Sequence, residues 1–105
     1  MVDTVLFKNQ AISTLIAAIT AIDTELTVAP GDGALFPAPD VYEYAVVTLT
    51  DTGTGNREIV HCTGRTGDVL SIDRAQEGTS ALPFDAGVEV AMHITAGVLE
   101  YLRDL

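Results

Sequence analysis

The chain has 105 residues, the size of a single domain, and 48% of them are hydrophobic while 19% are charged. This composition is typical of a folded globular chain and argues against disorder. The formal net charge is −10, from 15 acidic and 5 scattered basic residues. Nucleic-acid backbones and anionic membranes are bound by clustered Lys and Arg, so we expect neither as a partner.

The sequence also carries no signal-peptide pattern and no apolar run long enough to cross a bilayer. We therefore expect neither a secretory signal nor a transmembrane segment. Cys62 is the single cysteine, so an internal disulfide is impossible. Its expected role is that of a small buried hydrophobic residue on a strand.

Residues 1–10 are predicted to form an N-terminal arm, and residues 11–105 a single β-rich domain. The arm carries Phe7 among other apolar residues, which suggests that Phe7 anchors it. Two anchoring places remain open, because the arm can lie on its own domain or on a neighbouring subunit.

Residues 11–29 have an ambiguous pattern. Their apolar residues also fit the spacing of a helix: Ile12, Leu15, Ile16, Ile19 and Ile22. Residues 21–24 look like a turn, however, and the piece that follows is rich in Thr and Val. We therefore predict a strand at residues 13–20, a turn, and a second strand at residues 25–29.

Residues 30–40 contain three prolines and two glycines, which predicts a loop. Leu35 and Phe36 are apolar within it. They either cap one end of the core beneath the loop or contact a neighbouring subunit. The following residues, 42–50, form a predicted strand with two apolar faces, as expected of a central strand or of one with an external partner.

Residues 57–63 and 69–75 are predicted to form a β-hairpin across Gly64, Gly67 and Asp68, after a turn at residues 51–56. Alternation places four residues on the face that points inward: Val60, Cys62, Leu70 and Ile72.

The hairpin ends in a polar group formed by Arg74, Gln76 and Glu77, which leads into Gly78. One interpretation is a bulge or turn held by side-chain hydrogen bonds, with Arg74 paired to a nearby carboxylate. The other is a docking epitope for a neighbouring protein.

Apolar and polar residues alternate along residues 88–94, which predicts the last strand. The residues expected to point inward are Val88, Val90, Met92 and Ile94, and those expected to point outward are Glu89 and His93. Thr95 is placed to cap a short helix that starts at Ala96. One side of that helix is apolar: Val98, Leu99, Leu102 and Leu105. A helix this short requires a packing partner in the domain or in another chain.

The segment at residues 57–79 resembles a small module common in tailed-bacteriophage virion proteins. In those modules it reads REIV.VT…SGD.LTV.RGQEGT. Here the matching runs are REIV at residues 57–60 and SIDRAQEGT at residues 71–79, with Ala75 in place of the usual glycine, and later similar pieces at residues 81–84, 86–90 and 94–102. The resemblance covers most of the chain. It implies a structural role without fixing the location, and we expect that location to be the tail, baseplate or neck.

Catalytic chemistry has little support in the sequence. His61 and Cys62 are adjacent on a strand and point to opposite faces, so they cannot form a dyad. His93 has no close-spaced partner that would predict a metal site. We therefore expect no enzyme activity, no metal and no cofactor.

The prediction is a mainly β domain, a small antiparallel barrel or sandwich of about six strands with a short C-terminal helix. The expected function is that of a virion structural protein that joins fibres or subunits. A capsid decoration protein is the alternative, and a small enzyme or a free regulatory module ranks lower. Expected partners are other virion proteins and copies of the same chain in a symmetric assembly. The candidate contact residues are Phe7, Leu35, Phe36, Arg74, Gln76, Glu77, Leu99 and Leu102.

Overall fold

The computed structural model describes residues 4–8 and 10–104. Within these residues there are seven strands, one 3₁₀ turn and one helix, in chain order β1 (Thr4–Leu6), β2 (Ile12–Thr14), β3 (Glu25–Thr27), the 3₁₀ turn (Asp32–Leu35), β4 (Glu43–Thr50), β5 (Arg57–Thr66), β6 (Val69–Gln76), β7 (Glu89–Ala91) and α1 (Ala96–Arg103).

The strands form one curled sheet in the order β2-β7-β4-β5-β6-β3, with antiparallel pairing throughout this path. Its two end strands approach each other beyond β2, where Leu15 bridges Val28 and the Ile16 N–H donates to the Thr27 carbonyl at 3.0 Å. The predicted mainly β, barrel-like fold with a short C-terminal helix is confirmed. The additional strand is β1, which pairs in parallel with the start of β4.

The predicted arm contributes β1, so its described strand lies on the chain's own domain. Val5 pairs with Tyr44 in β4 and packs beside Val46. Residues 1–3 and 9 lie outside the described residues. The boundary between arm and domain at residue 10 stays a prediction.

Apolar residues from the strands and from the segments between them fill the concave side of the sheet. The largest fully buried ones include Phe36, Leu15, Leu26, Leu49, Leu70, Val28, Val47, Val60 and Val90. The inward positions predicted for the hairpin are confirmed, since Val60, Cys62, Leu70 and Ile72 are all buried in this core. The core therefore lies inside the curl, and Phe36 from the loop after β3 is a buried part of it.

Residues 11–29 contain no helix, so the helical alternative is wrong for them. The predicted strand at residues 13–20 is shorter than expected, since β2 ends at Thr14 and only isolated bridges follow at Leu15 and Ile19. Ser13 and Leu15 are buried while Ile12 and Ile16 are exposed, which is the period of a strand. The predicted hairpin is only partly present, because β2 pairs with β7 and β3 pairs with β6. β2 and β3 therefore form their main hydrogen bonds with distant strands, and not with each other as the predicted hairpin required.

The central hairpin has the predicted position, with β5 longer than expected because it continues through Gly64 to Thr66. A two-residue turn at Gly67 and Asp68 joins it to β6, and Gly67 has a φ of 60°. The Asp68 carboxylate accepts the N–H groups of Gly31 and Gly33 at 3.1 and 2.8 Å. The turn thereby holds the loop that carries Phe36.

The last strand is shorter than predicted, since β7 ends at Ala91. Val88, Val90 and Met92 are buried as expected, but Ile94 is 54% exposed, so its inward placement was wrong. The chain leaves the sheet after β7 and turns onto its convex face. There α1 begins, and Val98 packs on Val46, Ile59, Val5 and Tyr44.

Candidate functional site

Arg74 and Glu58 form a buried ion pair between β6 and β5. The Arg74 Nε lies 2.8 Å from Glu58 Oε2, and its Nη2 lies 2.8 Å from Oε1, so the contact is bidentate. The side chains are 9% and 0% exposed, respectively. This confirms the interpretation in which Arg74 pairs with a nearby carboxylate.

The remaining hydrogen-bonding capacity of the pair is taken up by backbone groups. Glu58 also accepts the N–H groups of Ala75 and Leu82, each at 2.9 Å. Arg74 donates to the carbonyls of Thr20 (2.7 Å), Asp23 (2.9 Å) and Leu82 (2.6 Å). The pair therefore ties the hairpin to the turn after residue 19 and to the link after β6.

Burial raises the pKa of the Glu58 carboxyl, but hydrogen bonds from Arg74, Leu82 and Ala75 and the Arg74 charge outweigh it, so the pKa is lowered overall. The group is ionised at neutral pH. A general acid requires the opposite shift, since its proton must be held near neutral pH. The geometry and the charge state thus indicate a structural role for this pair.

Left-handed backbone conformations follow Arg74 at the end of β6, where the register with β5 shifts between Ile59 and His61. Ala75 and Glu77 have φ values of 57° and 53°, in the left-handed region that glycine favours. The Thr79 hydroxyl accepts the Ile59 N–H at 3.1 Å and donates to the Gln76 carbonyl at 2.7 Å. These contacts form a turn stabilised by side chains, as one of the two interpretations of the motif predicts.

Glu77 holds the start of α1. Its carboxylate accepts the Thr95 hydroxyl at 2.6 Å and the Gly97 N–H at 2.8 Å. Thr95 in turn accepts the Val98 N–H at 3.2 Å, which confirms its predicted capping role. A Cβ on Gly97 would lie 2.7 Å from the Glu77 carboxylate, so glycine permits this close approach.

The predicted contact residues separate into exposed and engaged groups. Phe36 is fully buried in its own core, so it caps the core and is not a contact residue of the folded chain. Arg74, Gln76 and Glu77 are hydrogen-bonded within the domain. The exposed apolar residues among the predicted ones are Phe7, Leu35, Leu99 and Leu102, and Glu77 is exposed as well although it is hydrogen-bonded.

His61, Cys62 and His93 do not come together as a reactive group. His61 stacks on Tyr44 with ring centroids 4.3 Å apart, and burial lowers its pKa despite the charges of Glu77 and Asp73. Cys62 is buried on the opposite face, and burial raises the pKa of its thiol. His93 is exposed beside Glu89, with His93 Nε2 3.3 Å from Glu89 Oε1.

Across residues 4–8 and 10–104, no cluster of three or more His, Cys, Asp or Glu side chains is placed to hold a metal ion. Within the same part of the chain, no helix has the length and apolarity needed to span a membrane.

Glu58 is the central residue that sequence reasoning missed. The signal was present in the alternation, because Glu58 lies on the same strand face as Val60 and Cys62, which were predicted to point inward. A glutamate on a buried face requires a charged partner. That requirement would have pointed to Arg74 in the adjacent strand.

Glu58→Gln should destabilise the domain by about 3–5 kcal/mol, because Arg74 would be left as a buried charge without its counter-ion. Glu89→Gln is the matched control, since it breaks the exposed pair with His93 and should cost less than about 1 kcal/mol. Urea unfolding followed by circular dichroism measures both. Equal losses in the two variants would contradict the structural role of the Glu58–Arg74 pair.

Ala75→Gly should stabilise the domain by about 0.5–1 kcal/mol, because relief of the left-handed backbone strain exceeds the added entropy of the unfolded chain. Ala86→Gly, at an exposed residue outside the left-handed region, should instead lose about 0.4–1 kcal/mol. Thermal unfolding compares the two variants. A loss of stability in Ala75→Gly would show that its backbone is not strained.

We compared the chain with known proteins. No protein-family model matches it, and no curated protein matches it in sequence.

Proposed function

We propose that this protein is a structural protein of a bacteriophage virion, located at the tail, baseplate or neck, where it joins neighbouring subunits or fibres. The observation that carries the proposal is the segment at residues 74–79, which resembles the phage module in sequence. In the fold this segment has a defined architectural role, because it closes the hairpin and positions α1.

The backbone at Ala75 supports the proposal further. The phage modules carry glycine at the matching position, and Ala75 has a φ of 57°, a conformation that glycine adopts without a steric penalty. A shared backbone geometry would account for that glycine. The agreement links the sequence pattern to a physical requirement of the turn.

The surface of the domain is suited to recognition. Large apolar side chains stand exposed on it: Phe7, Ile12, Ile16, Ile22, Leu35, Val41, Tyr42, Ile94, Leu99 and Leu102. Exposed apolar groups favour protein contacts when they adjoin one another, and the charged side chains around them select the partner. Copies of the chain in a symmetric ring would present such contacts repeatedly.

The titratable groups also favour a binding role over turnover. The buried carboxylate is fully engaged by donors, and the thiol is buried on the strand face opposite His61. His61 stacks on Tyr44, and His93 lies beside Glu89. Recognition in this proposal needs no reacting group. It needs a stable domain with accessible contact residues, which the Glu58–Arg74 pair and the apolar core supply.

Quantitative mass spectrometry of density-purified particles from the phage that encodes the chain tests the proposal. The copy ratio to the major capsid protein should be well below one, as expected for a tail or neck position. A ratio approaching one would move the protein to the capsid surface as a decoration protein. Its absence from particles, with the capsid protein readily detected, would contradict any virion role.

A further inference from the structure

A cleft of about 460 Å³ lies on the convex face of the sheet, between β4, β5 and the segment that leads from β7 into α1. Its volume falls within the range of small-molecule sites. The side chains that line it include Thr48, Thr50, Arg57, Glu77, His93 and Ile94. We call this space the convex cleft.

Thr48 is the most deeply buried polar residue of the convex cleft, at 3% exposed. Its neighbours in β4, Val47 and Leu49, lie in the core on the concave side, so Thr48 points to the convex side. No hydrogen bond joins its hydroxyl to another group of residues 4–8 and 10–104. An unpaired buried hydroxyl costs free energy, and a polar ligand in the cleft would supply the partner.

The strand register places further polar groups beside Thr48. Thr50 is the next residue on the same face of β4, and Arg57 lies directly opposite it in β5. Within the part of the chain that the structure describes, the Arg57 guanidinium has neither an ion pair nor a hydrogen bond. Arg57 and the two threonine hydroxyls are therefore available to a ligand.

The charges around the convex cleft select against an ion. Glu77 lines the cleft, and its carboxylate accepts one hydrogen bond at each oxygen, so it can accept more. Glu89 lies opposite Thr50 in β7, beside His93. An anion would meet both carboxylates on a chain of net charge −10, and a cation would meet Arg57.

An apolar ligand is excluded by the same residues, because it would leave the hydroxyls of Thr48 and Thr50 unpaired. The ligand that fits is neutral and carries groups that both donate and accept hydrogen bonds. It also has an apolar side, since Ile94 borders the cleft and is 54% exposed.

We propose that the convex cleft binds a neutral carbohydrate. Sugar hydroxyls accept hydrogen bonds from Arg57, donate to Glu77, and exchange hydrogen bonds with Thr48 and Thr50. The C–H face of the sugar ring packs on Ile94. The proposal concerns a site on the isolated domain, so it does not depend on the proposed virion role.

Amide nuclear magnetic resonance spectra of the purified full chain test the proposal. The probes are D-glucose, D-galactose, D-mannose and N-acetyl-D-glucosamine at millimolar concentrations, with sodium acetate as the anionic comparison. The expected result is a saturable shift with at least one sugar and none with acetate. The shifted amides should lie in residues 48–50, 57–59 and 93–96.

Two variants test whether the sugar is bound in this cleft. Thr48→Val keeps the shape of the side chain and should raise the dissociation constant about threefold or more, as expected for one lost neutral hydrogen bond. Arg57→Met should raise it about tenfold, because hydrogen bonds from a charged donor are stronger. The matched controls are Thr66→Val and Arg103→Met, at exposed residues outside the lining, and both should leave it unchanged.

Circular dichroism confirms that each variant is folded. If Thr48→Val fails to fold, Arg57→Met still decides the question, because Arg57 is exposed. The absence of a saturable shift with all four sugars would overturn the proposal. So would saturable binding of acetate, which would make the cleft an anion site, or sugar binding that Arg57→Met leaves unchanged.

Discussion

The ion pair between Glu58 and Arg74 is the constraint on which the rest of this structure depends. Two buried charges carry a large desolvation cost, which only close pairing and complete hydrogen bonding offset. Here the two side chains meet both conditions by binding backbone groups of two other segments. The sheet can close around its core because the turn after residue 19 and the link after β6 are fixed to the hairpin through one guanidinium.

The position of α1 follows from the same pair. With Arg74 fixed, β6 ends at Gln76, and left-handed conformations at Ala75 and Glu77 place the Glu77 carboxylate where it receives the start of the helix. The negative charge of Glu77 also interacts favourably with the positive end of the helix dipole at the N-terminus of α1. Val98 then packs on Val46 and Ile59 on the convex face of the sheet. The most distinctive stretch of the sequence thus serves the fold, and the proposed recognition role would fall to exposed residues elsewhere, such as Leu99 and Leu102.

The sequence predicts those features that depend on local periodicity and turn chemistry. The central hairpin, β4 and the Thr95 cap are all of this kind, because neighbouring residues specify them. The partners of β2 and β3 could not be predicted in the same way, since each pairs with a strand more than 40 residues away. Ile94 continues the apolar–polar alternation of β7, but the end of that strand depends on where the chain turns toward α1. The alternation therefore could not show that the strand ends at Ala91, before Ile94. For the candidate site, one interpretation paired Arg74 with a carboxylate. Alternation was sufficient to place Glu58 on the buried face of β5, but its bidentate contact with Arg74 depends on the register between the two strands.

The protonation of Glu58 gives the most direct test of the account. We predict that a nuclear magnetic resonance titration of its side-chain carboxyl carbon gives a pKa below the ordinary value of 4.5. The unfolded chain would then bind the proton more readily than the folded chain. The contribution of Glu58 to the free energy of unfolding should therefore be fully present above the unfolded-state pKa and be lost as the pH falls through the folded-state pKa. A measured pKa at or above the ordinary value would mean that burial outweighs the bonds from Arg74 and the backbone. The ion pair would then not be the organising contact of this fold.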